Sequence, residues 1–294
     1  MDTRSIRQFL ALADALHFGR AAEACHVSPS ALSRGIKRLE ESLGVTLFER
    51  SKRMVNLTRS GEVFLDYARN ALADWDTVRN RMMAESGDLS GEISLYCSVT
   101  ASYSFLFDVL ARVRRDHPRI EIKLHTGDPE DAIARVTDGR ADIAIAARPR
   151  RLQAGLAFRR MAVSPLVFIA AQGHPAPADN AAWSRCPMIL NERGLARERV
   201  DRWFRARGVP PTIYAQVAGN EAIVSMVSLG FGVGVVPEIV LENSPLADRV
   251  RVLDVRPALA AYEVGLVALE RRRSSPLVEA FWNALEADRE TGAA

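Results

Sequence analysis

Cysteine is scarce: Cys25, Cys97 and Cys186 are the only three in 294 residues. They are odd in number and far apart, which excludes a disulfide framework or a zinc site and leaves them as small, reduced apolar side chains. That wide spacing also argues against a thiol-based sensor. Long apolar runs are missing as well, and no stretch approaches the roughly 18 consecutive apolar residues of a membrane span. The opening MDTRSIRQFLALADALHFGR is broken by acids and arginines where a secretory leader would be apolar. A cytoplasmic protein without membrane contact is therefore the expectation. There is no glycine-rich phosphate loop and no G-x-S-x-G elbow, and His17, His26, His117, His125 and His174 lack metal-ligand spacing. The expectation is thus no enzyme, no cofactor and no metal; an enzymatic α/β protein would need a site assembled from distant residues.

What is present is ordinary for a globular chain, with 48% hydrophobic and 26% charged residues, far from the composition of disorder. The length exceeds a single hydrophobic core, so two or three compact units are expected. The formal charge is +3, yet residues 1 to 60 hold ten basic and six acidic residues, an excess of four, so the remainder carries −1. Only the N-terminal fifth is biased toward a polyanion.

That fifth reads as three helices and a hairpin. Ile6, Phe9, Leu10, Ala13 and Leu16 recur at spacings of three and four and give one apolar helical face, ended at Gly19. RAAEAC is a short helix whose alanines allow close approach, and HVSPS is a turn. Ser28 suits the cap and Pro29 the first position of a helix to about Ser42, with Leu32, Ile36, Leu39 and Leu43 inward and Gly44 as its stop. This leaves Ser30, Ser33, Arg34, Lys37 and Arg38 outward on the second helix of a helix-turn-helix, the part that enters a major groove. Arginine pairs bidentately with guanine, while serine and lysine hold phosphates or base edges. In GVTLFERSKRMVNLT, Val45, Leu47 and Phe48 anchor two short strands around a basic tip of Arg50, Lys52 and Arg53, a wing that reaches the neighbouring backbone.

The segment FLALADALHFGRAAEACHVSPSALSRGIKRLEESLGVTLFERSKRMVNLTRSGE resembles the winged helix-turn-helix of the LysR-type transcription regulators, without a gap to about residue 62. The resemblance rests on the ordered set from Ala21, Ala22, Ser28, Ser33 and Arg34 through Leu39, Glu40, Gly44, Leu47, Phe48 and Arg50 to Leu57, Thr58 and Gly61. Pro29 and Gly35 depart from it, standing where that family often carries glutamine and a longer polar residue. The resemblance implies double-stranded DNA as a partner, contacted by Ser28, Pro29, Ser30, Ser33, Arg34, Lys37, Arg38, Arg50, Lys52 and Arg53.

From Thr58, a candidate cap, nothing breaks the chain between Gly61 and Gly87, enough for a helix of roughly 25 residues. Phe64, Ala68, Ala71, Trp75, Val78 and Met82 follow at four, three, four, three and four, a heptad seam. Such a stripe packs either on a second helix or on the chain's own domain. In LysR-type proteins it pairs two subunits, which implies a homodimer, a homotetramer by further assembly, and an inverted repeat as binding site; RNA polymerase is the implied partner at the promoter.

After GDLSGE, the expected linker, short β-type runs alternate with amphipathic helices: EISLYCS, a helix near 102 to 116, IEIKLHT, ADIAIAA, PLVFIAA, IYAQVAG, GVGVVP, VRVLDV and EVGLVAL. This order predicts parallel strands with helices on both faces, in two α/β lobes. The fold class expected is α/β multidomain: a winged helix-turn-helix over 1–58, a linker helix and hinge over 59–90, and a two-lobed effector domain over 91–294. Lobe I takes about 91–162 and 267–294, and lobe II about 163–266. Two strand-to-helix junctions offer exposed amides to an anion: Ser98, Thr100 and Ser102 in CSVTASYSF, and Asn220, as a cap after Gly219, in AGNEAIVSMV. The LysR-type resemblance implies a two-lobed sensor similar to solute-binding proteins, with the effector between the lobes. By position it matches Ser98, Val99, Thr100, Ala101, Thr126, Asn220 and Glu221 to the pocket. A free-standing solute receptor would share that half but not the basic N-terminal unit. LSGEISLYCSVTASYSFL, IEIKLHTGD and GNEAIVSMVSLGFGVGVVPEIVLENSP further resemble the family's activators of branched-chain amino acid synthesis, which implies acetolactate or acetohydroxybutyrate as inducer. The alternative is another small carboxylate and another pathway.

Overall fold

The computed structural model describes residues 2–50, 54–84 and 89–285. Lys52, Arg53 and the start of the expected linker lie outside them. The chain forms two compact units, Met1–Asp88 and Leu89–Ala294, and each is built from its own core.

In the first unit, α1 (Thr3–Ala15) starts at Asp2, which accepts the Ser5 N–H, and ends at Leu16 in the left-handed region at φ 46°. Leu16 is therefore exposed, and the buried face is Ile6, Phe9 and Leu12. The second helix, α2 (Phe18–Ala24), starts earlier than expected: Gly19 is inside it, and the His17 ring nitrogen accepts the Gly19 and Arg20 N–H groups. In α3 (Pro29–Leu43), Ser28 accepts the Ala31 N–H, Pro29 takes the first turn and Gly44 closes the helix at φ 69°. Leu32, Ile36 and Leu39 are buried, but Leu43 is exposed, one position beyond the core-facing stripe. The wing strands β1 (Phe48–Arg50) and β2 (Val55–Leu57) pair antiparallel, Phe48 opposite Leu57. Leu47 and Phe48 anchor them; Val45 stays exposed. The long helix α4 (Arg59–Ala84) opens with Thr58 Oγ1 accepting the Gly61 N–H at 2.9 Å. It belongs to this unit: Phe64 meets Phe9 edge-on at 4.7 Å, and buried Arg69 pairs with Asp14 at 3.1 Å.

The second unit begins with β3 (Gly91–Cys97), so the last two residues of the expected linker are already strand. The single helix expected near 102 to 116 is two, α5 (Val99–Ser104) and α6 (Leu106–Asp116), broken at Phe105. Then come β4 (Ile120–Thr126), a short 3-10 turn at Pro129–Asp131, α7 (Ala132–Thr137), β5 (Ile143–Ala147) and β6 (Leu156–Ser164). The chain crosses to a second sheet at β7 (Leu166–Ala171) and continues through α8 (Asn180–Arg185), β8 (Pro187–Asn191) and α9 (Gly194–Ala206). Next are β9 (Thr212–Val217), α10 (Asn220–Ser228), β10 (Val233–Pro237), α11 (Glu238–Glu242) and β11 (Val250–Leu253). It returns in β12 (Tyr262–Leu269) and ends in α12 (Pro276–Ala284).

The sheet orders are β4-β3-β5-β12-β6 and β11-β7-β10-β8-β9. Both are mixed, correcting the parallel expectation: β12 runs antiparallel to β5 and β6, and β7 antiparallel to β10 and β11. These are the strands beside the two crossings, where the chain leaves and re-enters a lobe without a crossover helix. The lobe limits shift accordingly. All of β12 from Tyr262 is in lobe I, so the return lies between Leu253 and Tyr262, not at 266. Lobe I packs around Leu95, Leu266 and Phe281, and lobe II around Phe168, Trp183, Trp203 and Phe204, whose rings lie 5.0 to 5.9 Å apart along a connected cluster.

Candidate DNA-reading face and effector cleft

The outer face of α3 is as the sequence implies. Arg34, Lys37 and Arg38 are exposed, and among the described residues Arg34 and Arg38 form no ion pair. Lys37 lies 3.7 Å from Glu41 one turn on, an exposed pairing that costs little to break. Ser28 and Ser30 hydroxyls sit 3.1 Å apart at the helix start, with Pro29 exposed between them. Ser33 is half-buried. Gly35 faces inward, where a Cβ would overlap the amide of buried Gln8, so the departure at this position belongs to helix packing and not to the groove.

Arg50 is placed differently from Arg34 and Arg38. Its guanidinium donates to Glu40 Oε2 at 2.6 Å and lies over the Phe18 ring at 5.4 Å. The other Glu40 oxygen accepts the Leu47 and Phe48 N–H groups at 2.9 and 3.2 Å. Glu40 thus ties the base of the wing to α3, and Arg50, though exposed, is paired with it.

The expected dimer seam divides in two. Phe64 and Ala68 are buried in the unit's own core, and Ala71 packs against it. Trp75, Val78 and Met82 are 49%, 52% and 59% exposed, and N-terminal to them Val63 and Tyr67 are 69% and 51% exposed. The open stripe is therefore Val63, Tyr67, Ala71, Trp75, Val78 and Met82, displaced by one residue at its start.

In the second unit a cavity of about 130 Å³ lies between the lobes. Ser98, Thr100 and Ala101 line it from lobe I, and Asn191 and Asn220 from lobe II. Ser98 Oγ accepts the Ala101 N–H at 3.2 Å and so caps α5. Asn220 is no cap: it is the first residue of α10 after Gly219, and its Oδ1 accepts from Asn191 Nδ2 at 3.4 Å. Glu221 reaches across the cleft, where its Oε1 accepts the Thr100 N–H at 3.0 Å and the Thr100 hydroxyl at 2.5 Å. A carboxylate thus already sits on the Thr100 amide. Val99, Ser102 and Thr126 do not line the cavity; the Ser102 hydroxyl is turned to the Val99 carbonyl at 2.6 Å, and Thr126 is exposed at the end of β4.

Residues 3–62 match the bacterial regulatory helix-turn-helix protein of the lysR family, and residues 86–289 match the LysR substrate binding domain. The chain belongs to the LysR family. This LysR-family chain is a DNA-binding transcription regulator, 45% identical over 97% of its length to the HTH-type transcriptional regulator IlvY of Escherichia coli K12, of which 99% is covered. It is 38% identical over 97% of its length to the whole of the HTH-type transcriptional activator IlvY of Haemophilus influenzae. A full-length OxyR variant from Pseudomonas aeruginosa superposes with a TM-score of 0.72 at 25% identity, covering 97% of this chain and 94% of that one. Full-length CbnR in complex with its target DNA gives 0.65 at 22%, covering 98% and 99%, a likeness of fold alone.

The LysR-family cavity also contains residues the sequence did not single out. Glu130, on the turn after β4, and Tyr262, at the start of β12, both line it. Burial and the nearby Asp128 push the Glu130 carboxyl up to about 7, against the opposing pull of Arg193 and the Leu195 N–H. Burial also raises the Tyr262 phenol. No local motif marks either residue, and nothing in the polar turn around Glu130 or the run after Tyr262 signals that they meet. Cys97 is fully buried at the end of β3, and burial pushes its thiol up to about 11, so it stays protonated at neutral pH.

Proposed function

We propose that this regulator binds an inverted repeat in double-stranded DNA as a homodimer that assembles further to a homotetramer. Its inducer, in this reading, is a small acetohydroxy acid, acetolactate or acetohydroxybutyrate, taken between the lobes of the second unit. It acts in the cytoplasm on genes of branched-chain amino acid synthesis, with RNA polymerase at the promoter and without catalytic activity, cofactor or metal. The DNA-reading side chains are Ser28, Pro29, Ser30, Ser33, Arg34, Lys37 and Arg38, and the wing tip adds Lys52 and Arg53. The subunits meet along Tyr67, Ala71, Trp75, Val78 and Met82. The domain roles follow the expected division, with residues 1–58 reading DNA, 59–90 joining subunits and 91–294 sensing.

The observation that carries the effector reading is the polar wall of Ser98, Thr100, Asn191 and Asn220, with Glu130 and Tyr262 beside it, in a cavity between two lobes whose remaining wall is apolar. Small-molecule sites are built this way, with a few placed polar groups in an apolar cleft. A ligand that binds one arrangement of the lobes better than another shifts their equilibrium, and with it the spacing of two DNA readers in a dimer. The 45% identity to IlvY over nearly the whole chain supports the inducer class.

Thermal-shift titration of the purified chain with acetolactate, acetohydroxybutyrate and unrelated small acids tests it. Selective stabilisation by the first two is expected, and Thr100→Val should remove it, with a lower unliganded midpoint because the variant also loses the hydroxyl bond to Glu221. Stabilisation by a different carboxylate alone would replace the inducer and the pathway but keep the LysR-family role.

A further inference from the structure

Glu130 and Tyr262 meet the cavity with hydrogen-bonding capacity that the protein leaves unused. Glu130 belongs to lobe I and leans on the first turn of α9 in lobe II. Gly194, at φ 94°, has no side chain there, and a Cβ would overlap the Glu130 carboxylate. The Leu195 N–H favours the charged carboxylate, and no side chain among the described residues hydrogen-bonds it. Arg193 is engaged elsewhere, donating to Asp131 at 2.6 Å and Asp128 at 3.3 Å. Tyr262 packs its ring against the cores of both lobes, with the Arg199 guanidinium 5.1 Å from the ring centre. Its hydroxyl has no hydrogen-bond partner among the described residues. Most of the remaining wall is apolar, including Ile133, Ile145, Leu195 and Val240.

An acceptor and a donor that share a small apolar cavity suit one ligand group in particular, a hydroxyl, which donates and accepts at once. A ligand that fills the cavity expels the water that would otherwise satisfy both. If it carries a methyl in that place, the carboxylate and the phenol are left unpaired, the arrangement that gives hydrogen-bonding sites their strongest discrimination. We propose that Glu130 and Tyr262 form a hydroxyl-reading pair that makes the cleft select hydroxy acids over acids of the same size and charge that lack the hydroxyl. This rests on the reading of the cleft as an organic-acid site and specifies which acids it takes.

The test is calorimetric titration of the full chain at pH 8 with acetolactate and with dimethylacetoacetate, in which a methyl replaces the tertiary hydroxyl. The parent should prefer acetolactate by at least about tenfold. Tyr262→Phe and Glu130→Gln should each narrow the ratio toward unity, with an unchanged far-ultraviolet circular dichroism spectrum as the check on folding. A purely structural role would lower the thermal midpoint without moving the ratio. Equal affinities in the parent, with Thr100→Val abolishing both, would overturn the hydroxyl-reading pair and leave the cleft reading intact. A ratio that survives both substitutions would overturn the assignment to these two residues. Binding of neither acid would remove the cleft reading and the pair with it.

Discussion

Arg34 projects from α3 without an ion pair among the described residues, whereas Arg50 is engaged by Glu40 and Phe18, so two arginines of one unit have different surroundings. Arg34→Ala should weaken operator binding by about 1 to 3 kcal/mol and relax base preference, read by fluorescence anisotropy on a set of operator variants. Arg50→Ala should instead lower fold stability by about 1 kcal/mol, since its pair is partly exposed, and leave the salt dependence of DNA binding nearly unchanged. A salt slope reduced by a full unit in Arg50→Ala would return that residue to the phosphate-binding set. The exposed face of α3 was legible because helical period alone separates it from Leu32, Ile36 and Leu39. The fate of Arg50 was not, because Glu40 is ten positions away and only the turn at Gly44 brings it near.

At the scale of the element, α4 carries two surfaces in one apolar stripe. Its first turns complete the core of the winged unit, and its later turns are open. Phe64→Ala should therefore cost about 3 to 5 kcal/mol of stability in chemical denaturation. Trp75→Glu should leave the stability of the unit near its parent value and shift the chain to monomer in sedimentation velocity. If Trp75→Glu still sediments as the parent oligomer, the subunit contact lies elsewhere. Gly61 sits where the start of α4 crosses the Leu47 carbonyl, and a Cβ there would collide with that backbone oxygen. Gly61→Ala should destabilise by about 1 to 3 kcal/mol, since backbone on both sides cannot yield cheaply. The seam was visible as a heptad, but periodicity does not say whether a stripe meets its own domain or another chain.

At the scale of the molecule, Glu130 links protonation to the stability of the second unit. Its folded carboxyl is raised to about 7 from an ordinary 4.5, so the folded chain holds a proton that the unfolded chain has released. Its contribution is fully present below about 4.5 and is lost as pH rises through about 7. The stability difference between the parent and Glu130→Gln should drift against the parent across that window in thermal unfolding. A difference independent of pH would show that the carboxyl titrates normally. The facing groups that set this behaviour, Asp128, Arg193, Glu198 and Tyr262, come from both lobes. Their meeting follows from the crossings after β6 and before β12, which also make the sheets mixed.

The sequence by itself determined the α/β class, the helix-turn-helix with its caps at Ser28 and Gly44, the basic face of α3, and Ser98 and Thr100 at a strand end. Each is encoded within a few residues by period, cap chemistry or charge. Tertiary structure alone decided that Arg50 pairs with Glu40, that Phe64 and Ala68 belong to the core of their own unit, that Glu221 lies on Thr100, and that Glu130 faces the same cavity as Tyr262. Those outcomes depend on contacts between residues from 10 to more than 100 positions apart, as with Thr100 and Glu221 at a separation of 121, and no local pattern records them. The DNA reader is thus written along the chain, while the cavity between the lobes exists only once the two have folded together.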